Sequence, residues 1–170
     1  MVAALNGVVA NDWATFLRTR LDADGPEARA PLDGLARGGW RLAYSDKPTD
    51  YMKTLYSELK RNDFTYSLGF QTGEGNKIRS VQWNGLAFKS GLAAGMEIVA
   101  VNGQAASAER LTEAVTAAKD PSTPITLIVK DDEQYRTVVF DYHDGLRYPR
   151  LERIPDTPDR LGDILTPRRR

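Results

Sequence analysis

The chain contains no cysteine, which excludes a disulfide framework and a thiolate metal site and fits a reducing or an oxidising compartment equally. It has one histidine, His143, and a single imidazole cannot build a three-ligand zinc site. Ser45, Ser67, Ser80 and Ser90 therefore have no histidine partner identifiable by sequence, and no cysteine nucleophile replaces them. Charge of one sign is also missing. Lys plus Arg and Asp plus Glu each number 23, so no net field favours nucleic acid or an anionic membrane as partner. Every uncharged apolar run falls well short of the roughly 20 residues of a bilayer span, and the segment 1–10 lacks the basic start of a signal peptide. Neither a nucleic-acid nor a membrane partner is expected. What remains, in 170 residues, is enough for one sizeable core with appendages.

Residues 1–62 read as a helical extension with one short strand. Val2 to Val9 is apolar on nearly every side and calls for a partner surface. Asn11 or Asp12 can cap a helix whose Trp13, Phe16, Leu17 and Leu21 share one face, a stripe that reads as core. Asp22 to Pro31 is rich in Gly, Pro and charge and reads as a loop. Gly38-Gly39 ends a short helical turn before Trp40, Leu42 and Tyr44 alternate as a strand. Thr49 or Asp50 then caps a helix with Met52, Leu55, Tyr56 and Leu59 on its apolar face.

From Phe64 the apolar period changes to two. Strands are predicted near 64–72, 78–83, 97–102, 125–130 and 134–142, with hairpin tips at Glu74-Gly75-Asn76 and Asp131-Asp132-Glu133. The carboxylates at those tips read as solvated turn formers. A small helix near 86–90 ends at Gly91, and a longer one near 108–119 is capped by Ser107 and stopped by Asp120-Pro121. A tail from Leu146 onward reads as one short helix, with Thr157-Pro158 as cap and first residue, running through Leu165.

Three blocks carry most of the information: Tyr66-Ser67-Leu68-Gly69-Phe70, Ala87-Phe88-Lys89-Ser90-Gly91-Leu92, and Glu97-Ile98-Val99-Ala100-Val101-Asn102-Gly103. Together they resemble a PDZ domain. The resemblance implies an α+β fold, a small antiparallel β-barrel or sandwich with two helices, covering 63–145. It also implies a groove between the strand after Gly69 and the long helix, where an extended segment or a protein C-terminus adds as a strand. Leu68, Gly69 and Phe70 would form the carboxylate-binding turn, with Ser67 where many such domains have a first glycine, and the backbone of Gly69, Phe70, Gln71 and Thr72 would give the strand edge. Leu68 and Phe70 would line the terminal pocket from the strand, facing Leu111 and Val115 on the helix, with Ala108 at the mouth. Gly69 is the position where a missing Cβ permits positive φ. The turn itself holds no basic residue, so Arg79 and Lys89 are the candidates to reach a carboxylate.

A wider set of blocks spans the chain: Asp12-Trp13 with Phe16-Leu17-Arg18, Pro31-Leu32-Asp33-Gly34-Leu35, Gly39-Trp40-Arg41-Leu42, the Tyr66–Phe70 run, and Arg147-Tyr148-Pro149-Arg150-Leu151-Glu152-Arg153. In this order the chain resembles the C-terminal third of the glycyl aminopeptidase family of zinc metallopeptidases. That resemblance implies an upstream catalytic domain as a partner in the same polypeptide, with the zinc on that domain and no cofactor on this chain. It also implies export, for instance to a periplasm. The H-E-x-x-H motif that such chemistry needs does not occur here, so no catalytic residue is assigned and the chain alone is not expected to be an enzyme.

Three roles follow. The chain grips peptide near a catalytic site, or it buttresses that site with its groove closed by its own segment, or it is an independent adaptor. A strand edge at 69–72 covered by the Leu146 to Leu165 tail or by a helix of the first sixty residues would favour the second.

Overall fold

The computed structural model describes residues 1–22 and 31–167. The interior of the expected 22–31 loop and the Arg168-Arg169-Arg170 terminus lie outside the described residues. In chain order the elements are α1 (Val2–Val8), α2 (Trp13–Leu21), α3 (Asp33–Arg37), β1 (Trp40–Ser45), α4 (Asp50–Glu58), β2 (Asn62–Phe64), β3 (Phe70–Thr72), a 3-10 turn (Glu74–Asn76), β4 (Ile78–Val81), α5 (Leu86–Lys89), β5 (Glu97–Val101), β6 (Gln104–Ala105), α6 (Ala108–Ala117), β7 (Ile125–Asp131), β8 (Gln134–Phe140), β9 (Tyr148–Arg153) and α7 (Arg160–Leu165). They divide into two compact units, one of Leu42–Leu151 and one of Met1–Arg41 with Glu152–Arg170. The larger unit takes in the expected 63–145 segment together with α4.

In the larger unit β6-β5-β7-β8 form one antiparallel sheet and β2-β3-β4 another, while β1 and β9 make a two-stranded ribbon. The result is α+β, and among the described residues the sheets do not close into a barrel. Period-two patterning explains β7, where Ile125, Leu127 and Val129 point inward while neighbours face out. It pairs with β8 from Ile125↔Phe140 to Asp131↔Gln134, and Asp132 turns the tip at φ +51°. Ser107 Oγ accepts the Arg110 N–H at 3.2 Å to start α6, and Leu111, Ala114, Val115 and Ala118 line its inner face. With Leu68, Phe70, Ile78, Ile98 and Phe140 they make one continuous core. Each large aliphatic side chain so buried stabilises the fold by about 1.5–3 kcal/mol.

The smaller unit is held differently. Asp12 caps α2 through the Thr15 N–H at 3.0 Å, and Trp13 Nε1 donates to the Val9 carbonyl at 2.8 Å. Asp33 pairs with both Arg20 and Arg37. Gly39, at φ +82°, leaves no room for a Cβ, which would meet Arg153 Nη1 and the Pro158 carbonyl at 2.2 Å.

Four expectations need correction. The α2 stripe is not core: no residue of that helix is buried and Leu21 is 77% exposed, because periodicity marks a face without supplying what covers it. The strand predicted over 64–72 is two strands joined by a turn, since the chain reverses at Gly69. The tail contains β9, whose Pro149 is tolerated on a two-stranded ribbon with open edges. The last helix is capped by Asp159, not Thr157, through the Gly162 N–H at 2.8 Å. The Thr157 hydroxyl instead donates to the Ile154 carbonyl at 2.7 Å.

Candidate functional site

The turn between β2 and β3 is built around one carbonyl. The backbone N–H groups of Ser67, Leu68 and Gly69 all donate to the Phe64 oxygen, at 3.1, 2.8 and 3.0 Å. Gly69 sits at φ +85°, a conformation that costs an L-residue about 1–2 kcal/mol. An added Cβ there would meet the Leu86 and Ala87 nitrogens only at ordinary contact distance, 3.4 Å, so the backbone angle is what calls for glycine. The carbonyls of Leu68 and Gly69 accept from Ala87 and Gln82, at 3.0 and 2.8 Å, so α5 and the end of β4 hold the turn from behind.

Ser67 is buried, and its hydroxyl accepts the Arg147 backbone N–H at 3.1 Å. The segment just before β9 is thereby fastened to the turn. The Arg147 guanidinium lies 4.3 Å over the Tyr44 ring, and Nη1 is 3.4 Å from an Asp144 oxygen. Tyr44 in turn meets Tyr66 at 5.7 Å. Sequence reading missed Arg147 because it is 80 residues from Ser67; the run of aromatic and basic residues around it was the available signal. Arg79 instead donates to the Leu59 carbonyl at 3.2 Å and lies across Gly73. Lys89 is exposed at the end of α5.

The strand beyond Gly69 is central in its sheet. Phe70, Gln71 and Thr72 pair with Phe64, Asp63 and Asn62 on one side, and with Val81, Ser80 and Ile78 on the other. The edge assigned by sequence to a peptide is therefore engaged by β2. Gln71 Nε2 donates to Asp63 Oδ2 at 3.1 Å and to Thr65 Oγ1 at 3.2 Å, and Asn62 Nδ2 donates to Thr72 Oγ1 at 3.3 Å. Burial pushes the Tyr56 and Tyr148 hydroxyls to higher pKa, and the Asp63 carboxylate raises both further.

Leu68, Phe70, Leu111 and Val115 share the core, each at most 1% exposed. Ala108 is half-buried at the start of α6, and its carbonyl accepts from Thr112 Oγ1 at 2.8 Å. Phe64 is buried too, its ring 5.8 Å from that of Phe70, which stands 6.5 Å from Phe140. Clefts of this unit open elsewhere: about 790 Å³ at the 131–134 tip, 440 Å³ beside Arg147, and 390 Å³ between Tyr56 and Glu74.

A glycine-hinged turn of converging N–H groups, followed by a short strand and backed by the ten-residue helix α6 across the core, defines the architecture of a peptide-recognition module. Comparison with known families assigns it: residues 58–130 match the PDZ domain family, and the chain contains a PDZ domain. No curated protein matches the chain.

Proposed function

We propose that this chain is the PDZ module of a glycyl aminopeptidase-like zinc metallopeptidase, and that it acts there as a support whose peptide seam is closed by its own β2. The observation that carries the closed-seam reading is the double pairing of β3, with Asn62–Phe64 on one edge and β4 on the other. A bound strand needs a row of unpaired backbone groups, and in this form β3 has a neighbour on each side. The parentage rests on the sequence blocks that run from Asp12 to Arg153. The exposed apolar residues Val8, Val9 and Leu21 fit a surface that an upstream catalytic domain would cover.

Hydrogen exchange and peptide titration test closure together. Without ligand, the amides of Leu68, Gly69 and Leu111 should exchange slowly, and generic extended peptides at about millimolar concentration should leave their signals unmoved. Large shifts on adding such peptides to the unchanged chain would favour the second reading, a module that grips substrate, for which the PDZ match speaks. Reading the native gene ahead of Met1 tests parentage: a frame with an H-E-x-x-H helix is expected, and its absence would leave an independent module.

A further inference from the structure

We propose that Asn62-Asp63-Phe64 is a built-in ligand of this PDZ domain, and that the vacated seam takes a free C-terminus of the same chemistry: an aromatic last residue preceded by an acidic one. The inference rests on the closed-seam reading and deepens it.

Direction and register come first. β2 runs antiparallel to β3 and sets Phe64 opposite Phe70, so the carbonyl of Phe64 arrives at the turn of Ser67, Leu68 and Gly69 as the end of an added strand would. Donor arithmetic comes second. Three N–H groups converge on this one oxygen, although a carbonyl offers two lone pairs while a carboxylate offers about four and a full charge. The turn thus supplies more donors than its resident acceptor can satisfy well, and a terminal carboxylate would use them better.

The side chains name the ligand. Phe64 fills a buried site against Phe70 and, behind it, Phe140, so an aromatic ring is what that site is shaped to hold. Asp63 accepts from the Gln71 amide and lies near the Tyr56 and Tyr148 hydroxyls, all donors, with the Arg61 guanidinium over the Tyr56 ring, which suits a penultimate carboxylate. Tethering explains why the weaker acceptor prevails: a segment joined through a short turn competes at an effective concentration on the order of millimolar. The ladder it must give up is only three residues long.

The test titrates a peptide ending in Asn-Asp-Phe with a free carboxylate, and its C-terminal amide, while following the amide signals of Ser67, Leu68 and Gly69. Phe64→Ala should bind the acid peptide at least about tenfold more tightly than the unchanged chain does, with the amide form about tenfold weaker. Because the protein has no cysteine, Asn62→Cys with Thr72→Cys, directly opposed residues, gives a single reversible latch. Its oxidised form should not bind, whereas its reduced form, which lacks the Asn62–Thr72 side-chain hydrogen bond, should bind at least as tightly as the unchanged chain. If Phe64→Ala does not fold, Asp63→Ala loosens β2 from outside the core and should show the same gain. Equal binding by released and unchanged chains, or binding to the oxidised latch, overturns the built-in ligand while leaving the support reading intact. Binding by the unchanged chain at about micromolar peptide with the Asn62–Phe64 pairing undisturbed overturns the closed seam itself.

Discussion

Two helices of nearly equal length and similar apolar spacing meet opposite fates in this chain. In the larger unit α6 seals Leu111, Ala114 and Val115 completely or nearly so, whereas α2 in the smaller unit buries nothing. Every residue of the continuous core, from Phe64 to Phe140, belongs to the larger unit. The smaller unit relies on caps, on the Asp33 pairs with Arg20 and Arg37, and on the Trp40 indole bonded to the α7 cap Asp159 at 2.8 Å. Exposed ion pairs of this kind contribute little, so the difference in stability between the units is set by apolar burial.

The comparison breaks most readily on matched truncations. Leu111→Ala should cost about 2–5 kcal/mol by lost burial and the cavity left behind, while Leu17→Ala in α2 should stay within about 1 kcal/mol. Chemical denaturation followed by core tryptophan-independent probes, such as far-ultraviolet dichroism, measures both. Equal costs would mean that α2 is covered as deeply as α6, contrary to its exposure.

A second contrast concerns polar contacts. Ser67 is buried and carries the Arg147 N–H, so Ser67→Ala leaves a donor without its partner. The expected loss is about 1–3 kcal/mol, with faster exchange at the Arg147 amide as its local signature. Faster exchange without a stability loss would mean that water replaces the hydroxyl.

What could be read from residues alone follows the same division. Sheet strands with one buried face announced themselves by alternation, as Ile125, Leu127 and Val129 did, and the caps at Ser107 and, as one of two candidates with Asn11, at Asp12 were legible because a side-chain oxygen before a helix has a definite job. The residues of the candidate site were legible as types, since only glycine suits φ +85° at position 69 without strain. Their partners were not. That Asn62–Phe64 would pair with Phe70–Thr72, or that Arg147 would fasten Ser67, depends on which of several apolar and polar segments reaches a surface first, and local pattern carries no such information. The same blindness hid β9, whose Pro149 an open-edged ribbon accepts.

A smaller effect sharpens the junction between α4 and β2. Lys60 adopts φ +46°, and the Arg61 N–H returns to the Tyr56 carbonyl at 3.0 Å, the pattern by which a left-handed residue closes a helix. Glycine is the usual occupant. Lys60→Gly should therefore stabilise the larger unit by about 0.5–1 kcal/mol, the left-handed strain of an L-residue less the entropy that glycine adds to the unfolded chain. A loss of stability would mean that the lysine side chain holds something that its geometry does not show.

The smallest effect concerns pH: both units hold carboxylates with lowered pKa, and the larger one also holds a histidine whose pKa is raised. The chain's only histidine lies in the larger unit, where Nδ1 is 2.7 Å from the Ala118 carbonyl at the end of α6 and Nε2 is 2.9 Å from Asp141 Oδ1. A carbonyl only accepts, so Nδ1 carries a hydrogen. The Ala118 bond first, then the Asp141 bond and the charges of Asp141 and Asp120, raise the His143 pKa against a slight opposing burial. A raised folded value means that the contribution is fully present below the unfolded pKa of about 6.5 and is lost as pH climbs through the folded one. Among the described residues of the smaller unit the shifted groups are Asp12, Asp33 and Asp159, all lowered, Asp12 and Asp159 mainly by capping N–H groups and Asp33 by Arg20. Their contribution is present above the unfolded value of about 3.9 and fades in acid. Between about pH 6 and pH 8, only the larger unit should therefore soften as pH rises. The loss is small, because the neutral ring keeps its Ala118 bond and surrenders only the exposed one to Asp141. His143→Gln retains a donor for Ala118 but cannot titrate, so the slope of unfolding midpoint against pH should flatten over that range. An unchanged slope in the variant would assign the titration to another group and leave α6 without its proton-dependent clasp.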